Sequence, residues 1–106
     1  MRLPKSVKIG GHDVAILEVD LEDNFGKYDR VNLTIEIRKD ASPSQKAATL
    51  LHEMLHAIWG ESDLTKKYSN DGEEAVVTTL ESGLYSAMIN NPKVFKYIME
   101  SGGAAT

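Results

Sequence analysis

The residues whose types and spacing best suit chemistry in this chain are His52, Glu53 and His56, which form the pattern His-Glu-x-x-His. Side chains four residues apart on a helix lie one turn above each other, so both imidazoles project from one face and can share a metal ion. Glu53 is rotated by about 100° from His52 and flanks the ion without binding it. We therefore predict that Glu53 takes a proton from an activated water.

The same five residues are also compatible with two surface histidines and a carboxylate on an ordinary helix. The metal site is favoured because two of only three histidines in the chain fall in this register. The apolar positions of the segment recur at helical spacing without them. The chain has no cysteine, so a metal must be held by imidazole and carboxylate. Zn²⁺ is the predicted ion.

Catalytic zinc takes three protein ligands and a water, so a third ligand is needed. No histidine follows His56, which excludes the longer pattern that ends in a third histidine. Glu73 and Glu74 open the next predicted helix, and Glu74 flanks its apolar stripe as the histidines flank theirs. Glu74 is the predicted third ligand, with Glu73 as runner-up. Thr78 shares the stripe of Glu74 and is a candidate to hydrogen-bond at the site.

Other side chains offer weaker alternatives. Asp63 and Asp71 are acidic residues that could replace the glutamate ligand, but neither lies on a predicted helix face. The tyrosines Tyr28, Tyr68 and Tyr85 are candidates to stabilise an oxyanion. None of the three is assigned that role.

Three strands are predicted ahead of the first helix. The apolar runs Val7–Ile9 and Val14–Val19 are separated by a glycine-rich turn, in which His12 is expected to be exposed to solvent. A polar loop follows at residues 22–27. Val31–Arg38 then alternates between apolar and polar residues, as a strand with one buried face does. We expect a small antiparallel sheet of about three strands.

Helices are predicted in the rest of the chain. Ser42 as N-cap and Pro43 as first residue begin the helix that carries the His-Glu-x-x-His pattern, and Gly60 is placed to end it. Its predicted apolar stripe consists of Ala47, Leu51, Met54, Leu55 and Ile58. A second helix spans about 72–90, a short one spans 93–100, and residues 102–106 are expected to be frayed. Strands followed by helices predict an α+β fold with one domain, residues 1–106.

The His-Glu-x-x-His segment, followed by Glu74-Ala75 at the start of a second helix, resembles the gluzincin branch of the zincin-like metallopeptidases. Leu50–Gly60 and Glu73–Leu84 are similar to segments of small phage and prophage proteins related to the ImmA/IrrE and SprT-like groups. The resemblance covers most of the chain in the order of its elements, and only the His-Glu-x-x-His segment is specific.

This resemblance implies a zincin-like fold and a zinc metallopeptidase. It also implies that the strand before the active-site helix, Val31–Arg38, binds an extended substrate by main-chain pairing. The chain departs from the pattern at one position. Larger gluzincins often place an acidic residue four positions after the glutamate ligand, where this chain has Thr78.

Composition narrows the classes of function. The net charge is −4 and no basic residues cluster, which argues against nucleic-acid binding. No apolar segment reaches the length of a membrane span or resembles a signal peptide, so we expect a cytoplasmic protein. The resemblance implies that a bacterium or a phage encodes it. The favoured function is a zinc-dependent metallopeptidase acting on a peptide or protein substrate. The alternatives are a zinc-binding regulatory or interaction protein of the same fold without proteolysis, and a metal-free interaction domain.

Overall fold

The structure, a computed structural model, describes residues 2–62 and 70–104. In these residues strands precede helices, as predicted. The elements are β1 (Ser6–Ile9), β2 (His12–Val19), β3 (Gly26–Asp29), β4 (Thr34–Arg38), α1 (Pro43–Glu61), α2 (Asn70–Asn90) and α3 (Pro92–Ala104). Helix α3 continues four residues beyond its predicted end, and the last two residues of the expected frayed tail lie outside the described part of the chain.

The described strands form one mixed sheet in the order β1-β2-β4-β3. β1 and β2 are antiparallel, β2 and β4 are parallel, and β3 and β4 are antiparallel. The prediction of about three antiparallel strands was therefore wrong in number and in direction. After β2 the chain moves to the far edge to form β3 and then returns to insert β4 between them. Because β3 runs opposite to both of these strands, β2 and β4 run in the same direction.

The turn between β3 and β4 explains why β4 begins at Thr34 and not at Val31, where the strand was predicted to begin. The Asp29 carboxylate accepts hydrogen bonds from the backbone N–H groups of Val31 and Asn32, at 3.0 and 3.1 Å. Bonds from Asn32 lower the pKa of Asp29 below its usual value. Val31 consequently belongs to the turn and is 90% exposed. Further along, Ile35 and Ile37 are completely buried, which confirms the predicted alternation for β4.

The core lies between one face of the sheet and α1. Its buried members are Ile9, Val14, Ile16, Ile35, Ile37 and Ala57. The α1 positions buried four residues apart are Thr49, Glu53 and Ala57, whereas Ile58 is 48% exposed. The predicted apolar stripe of this helix was therefore displaced around its axis. Met54 of that stripe still packs against the core, together with Leu50, and the small side chain of Thr49 lies where Gly26 of β3 approaches the helix.

The ends of α1 follow local capping chemistry. Ser42 Oγ accepts a hydrogen bond from the backbone N–H of Gln45 at 3.2 Å, which confirms the predicted N-cap. Gly60 does not end the helix, which continues to Glu61. Instead, the backbone N–H of Ser62 bonds to a carbonyl of the last turn.

Gly26 sets the distance between β3 and α1. A Cβ atom at this position would overlap Cγ2 of Thr49 and would lie 3.2 Å from Glu53 Cγ and from the backbone oxygen of Glu36. Only a residue without a side chain allows the strand to approach the helix this closely. The backbone of β3 is thereby held beside Glu53.

We expect Gly26→Ala to lower the free energy of unfolding by about 1–3 kcal/mol, the usual cost of overpacking. Thr49→Ser removes the obstructing Cγ2 and keeps the hydroxyl, so Gly26→Ala should cost less in that background. Urea unfolding of the four chains of this double-mutant cycle measures the coupling.

Gly83 provides the matched control, since a Cβ there meets open space on α2. Gly83→Ala should leave the protein equally stable or slightly more stable, because alanine favours helix. Equal stability of the Gly26→Ala protein and the wild type would show that the strand does not need this close approach.

Candidate metal centre

Three donor atoms from α1 and α2 converge on one point. His52 Nε2 lies 2.9 Å from one carboxylate oxygen of Glu74, and His56 Nε2 lies 3.0 Å from the other. The two Nε2 atoms are 3.2 Å apart. Ligands 2.0–2.1 Å from a tetrahedral zinc ion are about 3.3 Å from one another. The three side chains therefore have the spacing and the chemistry of ligands to one ion.

The packing of the helices explains this convergence. The histidines lie about 60–100° around α1 from its buried face, so they point beside the sheet rather than into it. Helix α2 packs against α1. Among the described side chains of α2, Val77 is the one that is fully buried. Glu74 and Glu81 lie three residues before it and four after it, on the same side of the helix. Burying Val77 thus directs both glutamates towards the histidines.

A second carboxylate lies behind each imidazole. His56 Nδ1 is 2.6 Å from Glu73 Oε2, and His52 Nδ1 is 3.4 Å from Glu81 Oε1. An Nδ1–H group directed at a carboxylate leaves the lone pair of the ring on Nε2. With Nδ1–H of His56 directed at Glu73, the lone pair of that ring faces the Glu74 carboxylate, and the same tautomer of His52 would place its lone pair there too. Such an arrangement of electron donors is stabilised by a cation between them.

The two glutamates considered as the third ligand occupy different positions in the structure. Glu74 lies between the histidines, whereas the runner-up, Glu73, lies behind His56. Thr78 Oγ1 donates a hydrogen bond to Glu74 at 3.2 Å, in agreement with its predicted supporting position. The contact of Glu81 with His52 was not predicted. The sequence does indicate it, because Glu81 follows Glu74 by seven residues and the two glutamates therefore lie on one face of the helix.

Glu53 is 7% exposed and lies between the histidines and β3. Burial raises the pKa of its carboxyl above the usual value, and the neighbouring imidazoles act in the opposite direction. The side chain borders a groove of about 500 Å³, which is lined by residues 24–26, by α1, and by Glu74 and Glu81 of α2. The candidate base and the candidate ligands therefore share one solvent-accessible groove.

Among the described residues, no strand pairs with the outer edge of β3 at the groove. The backbone N–H of Arg38 donates to the Phe25 carbonyl at 2.8 Å, so these residues form a hydrogen-bonded pair of the antiparallel ladder. Pairs alternate along such a ladder, and Gly26 therefore directs its own N–H and C=O away from β4. β3 is an edge strand. The polar backbone of Gly26 is thus available beside Glu53.

The prediction that Val31–Arg38 binds a substrate by main-chain pairing was wrong. β4, which forms most of Val31–Arg38, lies between β2 and β3, and both of its edges are paired. Only β3 presents an open edge next to the groove among the described strands.

The remaining candidates lie away from this cluster or beyond the described chain. His12 is half exposed, as expected, but it begins β2 instead of lying in the turn, and its Nε2 is 3.6 Å from Glu61. Tyr28 and Tyr85 do not line the groove. Tyr68, Asp63 and the side chain of Asp71 lie outside the described residues.

Comparisons with protein-family models, with curated proteins and with solved structures find no match for this chain. Within residues 2–62 and 70–104, no helix combines the length and the apolar composition needed to cross a membrane.

The buried carboxyl of Glu53 predicts a pH-dependent effect on stability. Its pKa is higher in the folded protein than the usual value of 4.5, so the ionised form costs stability above that pH. The cost is absent where the carboxyl is protonated in both folded and unfolded states. In metal-free protein, Glu53→Gln should therefore raise the melting temperature at pH 7, and the gain should shrink as the pH falls towards 4.

Thermal unfolding in the presence of a chelator, at both pH values, measures this difference. Glu22 is an exposed carboxylate, and Glu22→Gln should show no comparable gain. A gain for Glu53→Gln that is independent of pH would contradict an origin in the buried charge.

Proposed function

We propose that this chain is a zinc-dependent metallopeptidase with a zincin-like, gluzincin-type centre. His52, His56 and Glu74 are the zinc ligands, and Glu53 is the general base. The observation that supports this proposal most strongly is the convergence of three donor atoms about 3 Å apart, with a buried glutamate beside them.

The chemistry of the donor set favours zinc over a harder ion. Two imidazoles and one carboxylate are a common ligand set for catalytic zinc, whereas Ca²⁺ and Mg²⁺ prefer oxygen ligands throughout. Zinc bound there acts as a Lewis acid that makes water nucleophilic near neutral pH and polarises a carbonyl group.

The side chains and backbone of the groove perform the other steps. Glu53 accepts a proton from the attacking water and delivers it to the leaving amine, a transfer aided by a carboxyl pKa that burial has raised. Gly26 pairs through its N–H and C=O with an extended peptide, which holds the scissile bond beside Glu53. Glu73 and Glu81 fix the orientation of the two rings.

The first experiment measures zinc in protein purified without chelator, and cleavage of a complex peptide mixture by mass spectrometry. Wild type should contain one zinc per chain, and His56→Ala should lose it. Glu53→Gln should keep its zinc because Glu53 is not a ligand, yet cleavage should fall by roughly 10²–10⁴-fold, the usual contribution of general acid–base catalysis.

The outcomes separate the alternative functions. Wild type without zinc would overturn the metal centre and leave a metal-free interaction domain. Zinc that depends on His56, in a protein that cleaves no peptide, would instead favour zinc binding without proteolysis, with the domain acting through a partner.

Glu73 and Glu81 should each contribute to metal affinity without binding the ion. We expect Glu81→Gln and Glu73→Gln to weaken zinc binding by about 10–100-fold, as loss of a carboxylate behind a histidine ligand usually does. The effect should be larger for Glu73, whose oxygen is 2.6 Å from its ring compared with 3.4 Å for Glu81.

Competition with a chromophoric chelator measures these affinities. The exposed Glu100 of α3 supplies the control, and Glu100→Gln should bind zinc as wild type does. Unchanged affinity in both the Glu73 and Glu81 variants would show that these carboxylates do not support the ligands.

A further inference from the structure

Helix α3 is almost entirely exposed. Of residues 92–101, only Phe95 is partly buried, and the other nine side chains face solvent. Four of these are large and apolar, with exposed fractions between 53 and 71%: Val94, Tyr97, Ile98 and Met99. Met88 and Ile89, in the last turn of α2 just before it, are also exposed. Half of the large apolar side chains that are exposed among the described residues therefore lie in this short segment.

An isolated helix of this kind is not stable in water. Helices shorter than about 12–15 residues are marginal even with favourable sequences. α3 has 13 residues and includes Gly102 and Gly103, each of which costs about 1 kcal/mol relative to alanine. The burial of part of Phe95 offsets little of this cost in helix stability. The apolar side of α3 needs a further surface to cover it.

The size of the exposed surface suits a protein interface. The six side chains together expose on the order of 600 Å², at the upper end of the roughly 300–600 Å² of the largest apolar patch on a typical monomer. A stable interface buries about 800 Å² from each partner. Val94, Tyr97 and Ile98 supply the apolar centre of such a contact, and the polar residues around them supply the rest of its area.

The charges of α3 indicate what covers it. Lys93 and Glu100 are seven residues apart and therefore lie on one side of the helix, next to the stripe of Val94, Tyr97 and Ile98. The basic residue is at the N-terminal end and the acidic residue is nearer the C-terminal end, opposite to the preference of the helix dipole. An antiparallel copy of the same helix would place its Glu100 beside Lys93, and its Lys93 beside Glu100.

We propose that α3 is a dimerisation helix, which packs antiparallel against α3 of a second copy of this chain across a two-fold axis. The apolar stripes face each other, and each Lys93 pairs with the Glu100 of the other copy. Such an interface is self-complementary, as a two-fold contact must be. This proposal does not depend on zinc or on catalysis.

Sedimentation velocity of the full chain, over roughly 1–200 μM, tests the proposal. Wild type should be a dimer in the upper part of this range. Ile98→Asp should weaken the dimer at least tenfold, because it places a charge in the apolar contact. The matched control is Val31→Asp, the same kind of change at an exposed residue of the β3–β4 turn, and it should leave the dimer unchanged. Circular dichroism confirms that both variants are folded.

Charge exchange tests the antiparallel arrangement. Lys93→Glu and Glu100→Lys should each weaken self-association several-fold, and the double variant should restore it. An equimolar mixture of the two single variants should form a heterodimer, since each then supplies the charge that the other needs. A wild type that is monomeric at about 200 μM, a dimer unaffected by Ile98→Asp, or charge variants without effect would each overturn the proposal.

Discussion

Three electron-rich groups face one another between α1 and α2, and the packing of these helices must accommodate them. His52 Nε2, His56 Nε2 and the Glu74 carboxylate face one another at about 3 Å, with Glu73 and Glu81 behind the rings. At an effective dielectric constant near 20, two unit charges 4 Å apart interact by about 4 kcal/mol. So many carboxylates in one place therefore oppose the packing of α2 on α1. A divalent cation held there would reverse the sign of that interaction, so the proposed zinc would also stabilise the packing of α2 on α1.

The buried residues and the candidate metal ligands of α1 lie on different faces of the helix. Thr49, Glu53 and Ala57 face the sheet, while the histidines face α2. Glu53 belongs to the buried set, although it is the one charged residue there, because Gly26 brings the edge strand alongside it. The same absence of a side chain that lets β3 approach the helix also leaves the Gly26 backbone uncovered. Close packing and access to the main chain at the groove therefore have one origin.

The sequence correctly predicted the features that depend on residues close together along the chain. The alternation around Ile35 and Ile37, the cap at Ser42 and the register of His52 and His56 depend on neighbours along the chain, and the structure agrees with each. β3 was not predicted, because a four-residue edge strand obtains its regularity from the strand beside it and not from its own apolar residues. The buried face of α1 was misplaced for a similar reason, since the approach of Gly26 from a distant part of the sequence decides it.

The contact between Glu81 and His52 also changes how the departure at Thr78 is interpreted. By resemblance, an acidic residue is expected one turn after Glu74, and its absence suggested a centre with less support. In the structure Thr78 bonds to the Glu74 carboxylate, and Glu81, nearly one turn further along, lies behind His52. A hydroxyl at position 78 can donate to the ligand carboxylate, which a second carboxylate could not do without a proton. An acidic group therefore lies behind the site at position 81 instead of position 78, and each of the three proposed ligands has a polar partner of the opposite hydrogen-bonding character.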